Sequence, residues 1–236
     1  MNTTRLNKAI ADSGLCSRRK ADEFIKQGLV KVNGKLPKMG QKVLSTDKIT
    51  VKDKKLKQFD EMSIMLHKPA GLITSKGDPH NKNTVMSILP NNMRHLKPAG
   101  RLDKDSEGLL ILSSDGNFIQ KITHPKFKHT KTYEIIVKGY VKEDELFQLT
   151  TGKLKLDGYA LNPMKFEIMG TLKGRKTRIS LVLTEGRKRQ IRRVMDHLGF
   201  PVILLKRTHI GTLDLGTLPI GEHRVLSPAE LYKALA

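Results

Sequence analysis

The chain holds one cysteine, Cys16, in 236 residues. A single thiol excludes an internal disulfide and leaves no CxxC pair for a metal. The eight histidines show no HxxxH or HExxH spacing, so no metal site is expected. No apolar run approaches the length that crosses a bilayer, and MNTTRLNKAIADSG reaches charge too soon for a secretory leader. These absences set the expectation of a soluble, cytoplasmic chain with no membrane association. Neither GxGxxG nor GxxxxGK[ST] occurs, which argues against dinucleotide or nucleoside-triphosphate chemistry. Acidic residues are scarce too: 23 Asp and Glu stand against 44 Lys and Arg, a net charge of +21. Folding does not require such an imbalance, whereas polyanion binding gains from it through counterion release. The basic residues recur in every segment instead of gathering beside one apolar stretch, so nucleic acid is a better partner than a membrane surface.

What is present divides in two. Residues 1–52 read as two short helices and a hairpin. Thr4 is placed to cap a first helix whose Leu6, Ala9 and Ile10 share a face, with Gly14 at its end. Ser17 precedes a second helix with Ala21, Phe24 and Ile25 on its apolar side and Gly28 as its stop. Leu29–Val32 reads as a strand closed by the tight-turn pair Asn33-Gly34. Residues 1–60 carry 15 Lys and Arg against 6 Asp and Glu. Arg5, Lys8, Arg18, Arg19, Lys20 and Lys31 are the candidate phosphate contacts there. Residues 53–61, polar and without apolar periodicity, read as a tether.

From residue 62 to 236 the pattern is of short strands between turns, in SIMLHKPAGLITS, GLLILSS, TYEIIVKGYV, KFEIMG and TRISLVLTEG, with helical stretches near 143–150 and 187–198. Strands and long helices do not alternate regularly. The expected class is α+β, with a mixed, mostly antiparallel sheet behind a small α/β front domain. Two stretches carry charge where a core would not need it. In GRLDKDSEGLLILSSDG, Asp103 falls on the loop leading into a buried strand at Leu109–Leu112, where a scaffold can present a side chain to a cleft; a bland turn cap is the competing reading. In EGRKRQIRRVMDHLGF, Ile191, Val194, Met195 and Leu198 form one helical stripe. At about 100° per residue, Arg192 falls at the edge of that stripe, with Arg189 and Arg193 further round and facing outward.

HKPAG at 67–71, GRLDKDSEGLLILSSDG at 100–116, KTYEI at 131–135, EGRKRQIRR at 185–193 and the later KRTHIGTLDLGTLPIGEHRVLSPAEL together resemble the bacterial ribosomal RNA pseudouridine synthases. Within them the resemblance is to the branch that acts at one site and carries an S-four-type RNA-binding domain in front; RLNKAIADSGLCSRRKADEFIKQGLVKVNGK matches that domain. The resemblance implies isomerisation of uridine with no cofactor and no metal. It assigns Asp103 as the essential aspartate, acting on the ribose as nucleophile or as base toward an elimination. It assigns Arg192 as the arginine paired with that aspartate, and Tyr133 as the aromatic that stacks on the extruded base or takes a proton from it. Arg101, Lys68, Arg187, Arg189 and Gln190 are the implied substrate contacts, and Arg193 an RNA contact. The expected partner is ribosomal RNA or an assembly intermediate, bound by a monomer, with the large subunit favoured over the small. Transfer RNA modification, and a non-catalytic assembly factor on the same fold, are the alternatives.

Overall fold

A computed structural model describes residues 3–56, 61–76 and 83–236. Contacts divide the chain into two compact units. One comprises Met1–Met62 with Leu89–Lys97 and Ser114–Gly116; the other comprises Ser63–Ile88, Pro98–Ser113 and Asn117–Ala236.

In the first unit, β1 (Thr4–Arg5) leads into α1 (Leu6–Asp12), then α2 (Arg18–Lys26), β2 (Val30–Val32), β3 (Lys42–Val43), β4 (Ile49–Val51) and β5 (Lys54–Lys55). Leu6, Ile10, Ala21, Ile25, Val30, Val32, Val43, Ile49 and Val51 close one apolar core. Ser17 caps α2 by accepting from the Lys20 amide. Asn33 and Gly34 turn β2 back with positive φ, and Val32 and Lys35 exchange backbone hydrogen bonds across them. Thr4 does not cap α1. It pairs with Val43 as part of β1, and Arg5 stands at the cap with no side-chain bond. Within the stretch 53–61, expected as a tether, Lys54 and Lys55 pair with Val51 and Thr50, and Leu56 packs on the core. Residues 57–60 of that stretch lie outside the described residues.

The second unit is built on β6 (Ser63–Lys68), β7 (Lys97–Ala99), β8 (Glu107–Ser113), β9 (Lys131–Lys138), the small hairpin β10 (Lys155–Leu156) and β11 (Tyr159–Ala160), then β12 (Lys165–Leu172), β13 (Lys176–Leu183), β14 (Val202–Ile210), β15 (Leu213–Asp214) and β16 (His223–Val225). Among the described residues the main sheet runs β12-β13-β9-β14-β8-β6-β16, with β15 added to β14 and β7 to β8. Every pair with a resolved register is antiparallel except β14 with β8. A mixed, mostly antiparallel sheet is therefore what the strand pattern implied. The helices are α3 (Gly116–Thr123), α4 (Glu143–Leu146), α5 (Gln190–His197) and α6 (Pro228–Leu235). Met65, Leu109 and Ile111 meet Phe118 and Ile122 of α3 and Ala234 of α6 in one core cluster. The α5 stripe of Ile191, Val194 and Met195 is buried, and α5 lies against β14.

The parallel crossing explains a glycine. Gly108 sits opposite Arg207 with φ +109, and a Cβ there would stand 2.3 Å from the Arg207 carbonyl oxygen. No larger residue fits without moving one of the two central strands. This contact fixes where β8 starts, and with it the loop that carries Asp103.

Candidate active site

Leu102 anchors the loop before Asp103. Its side chain is buried, its amide donates to the Thr74 hydroxyl at 3.2 Å, and that hydroxyl donates to the Leu102 carbonyl at 2.8 Å. The chain then turns tightly, with the Ser106 amide donating to the Asp103 carbonyl at 3.1 Å. Gly71 donates to the Lys104 carbonyl at 2.7 Å. Lys68 completes the support: its ammonium donates to the carbonyls of Pro69, Asp103 and Ser106 at 3.0, 3.1 and 2.7 Å and reaches that of Lys104 at 3.4 Å. A cation that gathers carbonyl oxygens from one turn fixes that turn's shape.

Lys68, implied as a substrate contact, is here committed to main-chain carbonyls. It is fully buried at the end of β6 and spends its donors on main chain. Burial pulls its ammonium down from the ordinary 10.5 to about 8, with the charges of Asp105 and Asp103 resisting.

The arginines sort differently from their expected roles. Arg192 does not pair with Asp103. Its Nε lies 3.2 Å from the Asp105 carboxylate, its Nη2 donates to the Asp105 carbonyl at 2.8 Å and its Nη1 to the Val202 carbonyl at 3.0 Å. Arg189 closes on the same carboxylate through two bonds of 2.8 and 2.9 Å. The Arg189 hydrogen bond, followed by the Arg192 charge, holds the Asp105 carboxyl below the usual range. Arg193 does not stand free either: it makes a two-pronged bond to Asp157, in the turn between β10 and β11. Gln190 is buried, accepts from the Arg187 amide and donates to Glu185. Arg187 lies over the Tyr159 ring and beside Glu185. Residues 185–192 thus form a braced loop and helix start, with Arg189 in the left-handed region at its cap.

One cavity of about 510 Å³ gathers Arg101, Asp103, Ser106, Tyr133, Arg187, Arg189, Gln190 and Arg192. Its size suits a single nucleoside. Tyr133 reaches it from β9, where it alternates inward with Ile135 and Val137. Among the described residues, no hydrogen bond or ion pair engages the Asp103 carboxylate. It is half-buried and shares the cavity with Arg187, Arg189 and Arg192, which are held by Glu185 and Asp105.

Of the candidate RNA contacts in the first unit, Arg5, Arg18, Arg19, Lys20 and Lys31 are exposed and Lys8 is half-buried. Lys8 pairs with Asp12, Lys20 with Glu23 and Lys31 with Asp53.

Two family descriptions match. Residues 62–197 match "RNA pseudouridylate synthase" and residues 4–49 match "S4 domain". The chain belongs to the RNA pseudouridylate synthase family. It is similar to ribosomal large subunit pseudouridine synthase B of Bacillus subtilis (strain 168), with 39% identity across 98% of this chain and 96% of that one. It is 34% identical to the dual-specificity RNA pseudouridine synthase RluF of Escherichia coli (strain K12), across 98% of this chain and 78% of that one. A solved pseudouridylate synthase superposes with a TM-score of 0.70 at 31% identity, covering 98% and 99% of the two chains.

Residues that shape this synthase's site but to which the sequence assigned no role are Thr74, Asp105 and Glu185. Asp105 lies in the same charged stretch as Asp103, two positions on, and that spacing was its one signal.

Proposed function

We propose that this synthase converts a uridine of ribosomal RNA, in the large subunit, to pseudouridine, with Asp103 acting on the ribose. The observation that carries the reading is the placement of an unengaged Asp103 carboxylate and the Tyr133 ring in the wall of one nucleoside-sized cavity. The reaction balances within the substrate. The bond from C1′ to N1 breaks, a bond from C1′ to C5 forms, one proton leaves C5 and one is gained at N1. No electron or group is exchanged with a cofactor.

In this reading Asp103 is poised as nucleophile or base at the ribose, and Tyr133 stacks on the extruded uracil. Arg101, exposed beside the cavity, meets the phosphate of the flipped nucleotide, with Arg187 and Arg189 along the same wall. Arg192 and Gln190 act through the loop as positioning residues. The S4 domain and its basic side chains dock structured RNA, which offsets the few kcal/mol of unstacking the target, roughly. Full-length similarity to a named large-subunit synthase supports ribosomal over transfer RNA. All the proposed roles fall within one chain, which supports action as a monomer.

The test is nucleotide-resolution mapping of pseudouridine in unmodified large- and small-subunit transcripts and assembly intermediates. The expected outcome is one modified large-subunit uridine with the wild type and none with Asp103→Asn. Modification that survives Asp103→Asn would overturn the assignment of the aspartate. A small-subunit site would overturn the choice of subunit.

A further inference from the structure

A second cavity, of about 500 Å³, adjoins the first. The two share Arg101, Tyr133, Glu185, Gly186 and Arg187 as lining, so Tyr133 stands in the partition between them. Lys131 and Arg207, which line this second space, belong to the stretches KTYEI and KRTHIG, but the resemblance assigns neither of them a role. Its own side is formed by the loop after α3, HPKFKHTK, and by the β14 residue Arg207.

The polar groups here are unbalanced toward cations. Arg207 is 2% exposed and lines the cavity. Its Nε donates to the Leu109 carbonyl at 2.8 Å, while its Nη2 is buried and has no hydrogen-bond partner among the described residues. A buried guanidinium nitrogen left without an acceptor is costly unless a ligand supplies one. Lys131 lies in the same wall, its ammonium lowered by burial and then by the charge of Arg207. Lys128 adds a third cation. The carboxylate in the wall, Glu185, is already engaged by Gln190, by the Asn162 amide and by Arg187. An anion is what this arrangement lacks.

The rim carries an aromatic surface. Phe127 is 43% exposed and stacks at 5.8 Å and 22° on His129, which itself lines the cavity. Exposed rings interleaved with lysines form the surface on which unpaired bases stack.

We propose that this cavity is a subsite for the nucleotide next to the target uridine in the RNA strand. Its phosphate sits toward Arg207 and Lys131, and its base lies against the His129 and Phe127 rings. Two cavities with a common wall hold neighbouring residues of one strand. The subsite requires the substrate nucleotide to lie in single-stranded or opened RNA on that side. It rests on the reading of the chain as an RNA-modifying enzyme.

The test uses fluorescein-labelled heptaribonucleotide AAAUAAA and two versions in which the nucleotide 5′ or 3′ of the uridine is abasic. Binding is followed by anisotropy with wild type, Phe127→Ala and Lys128→Asn; asparagine tolerates the left-handed backbone at 128 (φ 50). The expected result is that each variant weakens the intact oligomer about tenfold, and that one of the abasic oligomers binds wild type and the Phe127→Ala variant equally. A Phe127→Ala variant that weakens all three oligomers alike or none, or a Lys128→Asn variant that weakens none, overturns the subsite. Isomerisation of rRNA transcripts by the wild type is scored separately. Its absence counts against the proposed function, while the binding comparison still decides the subsite.

Discussion

Arg192 sits on Asp105, with Nε 3.2 Å from its carboxylate and Nη2 2.8 Å from its carbonyl oxygen. The positive charge brought toward the cavity by α5 is thus delivered to the aspartate two residues beyond Asp103. Arg189 joins it there. One carboxylate fixes two arginines, and both arginines fix the turn that presents the other carboxylate.

Asp105 is accordingly a positioning residue. Asp105→Asn removes the charge that orients both guanidiniums and leaves Arg192, whose side chain is 13% exposed, without its carboxylate. The expected effect is a fall of about 100-fold in kcat with a small change in KM. The loss of stability is about 1 kcal/mol because the pair is partly solvated. Asp105→Glu should restore part of kcat. Steady-state kinetics on an RNA fragment, with a melting curve for each variant, checks the division between rate and binding.

Lys68 sets an alkaline limit. Its ammonium titrates at about 8 in the folded chain against an ordinary 10.5, and in its neutral form it no longer holds the carbonyls of Asp103 and Ser106 as a cation. Activity should therefore decline as pH rises through about 8. Stability moves the other way on this group's account. Between about 8 and 10.5 the unfolded chain binds the proton that the fold has released, so stability rises with pH in that window. A pH–rate profile beside melting curves over the same range separates the two, and Lys68→Arg, which keeps its charge, should carry the decline to higher pH.

How much of this was written locally follows from the same residues. The buried run Leu109–Leu112 and the stripe Ile191, Val194, Met195 place β8 and α5 correctly because apolar periodicity reports a face directly. Tyr133 and Asp103 come to one cavity through strand alternation and the turn before β8. The choice of Asp105 over Asp103 as arginine partner was not legible. It depends on the turn at 103–106, and that turn is shaped by Lys68 and Thr74, about 30 residues earlier in the chain. Lys68 itself misleads, because a lysine in a strand reads as exposed until the carbonyls that satisfy it are seen. Thr4 loses its capping role to a strand partner, Val43, that no local pattern reveals. Arg207 fails to announce itself for the same reason: its bond to Leu109 spans 98 positions.

Gly108 gives a test of the central crossing. Gly108→Ala would place a methyl 2.3 Å from a backbone oxygen of β14 at a φ of +109. The expected cost is at least about 3 kcal/mol, from overpacking and backbone strain together. It should appear as a lower denaturant midpoint with an unchanged slope. Activity per folded molecule should also fall, because β8 carries the Asp103 loop.

Arg18, Arg19 and Lys20 fill the first turn of α2, where the helix dipole disfavours cations; no acidic residue stands in that turn, and of the three it is Lys20 that pairs with Glu23 one turn on. Arg18 and Arg19 are exposed, so the fold gains nothing from placing them there, and the expectation that they contact phosphate can be tested without unfolding the protein. Replacing both, Arg18→Ala with Arg19→Ala, should leave the protein as stable as before or more stable by about 0.5 kcal/mol. RNA affinity should weaken nonetheless, and the slope of log affinity against log salt should flatten by roughly 1.4 to 1.8 for two lost phosphate contacts. The rate at saturating RNA should stay near that of wild type, since neither side chain lines the uridine cavity. A salt titration of binding beside single-turnover kinetics reads both quantities. An unchanged slope would mean that these arginines face water rather than phosphate.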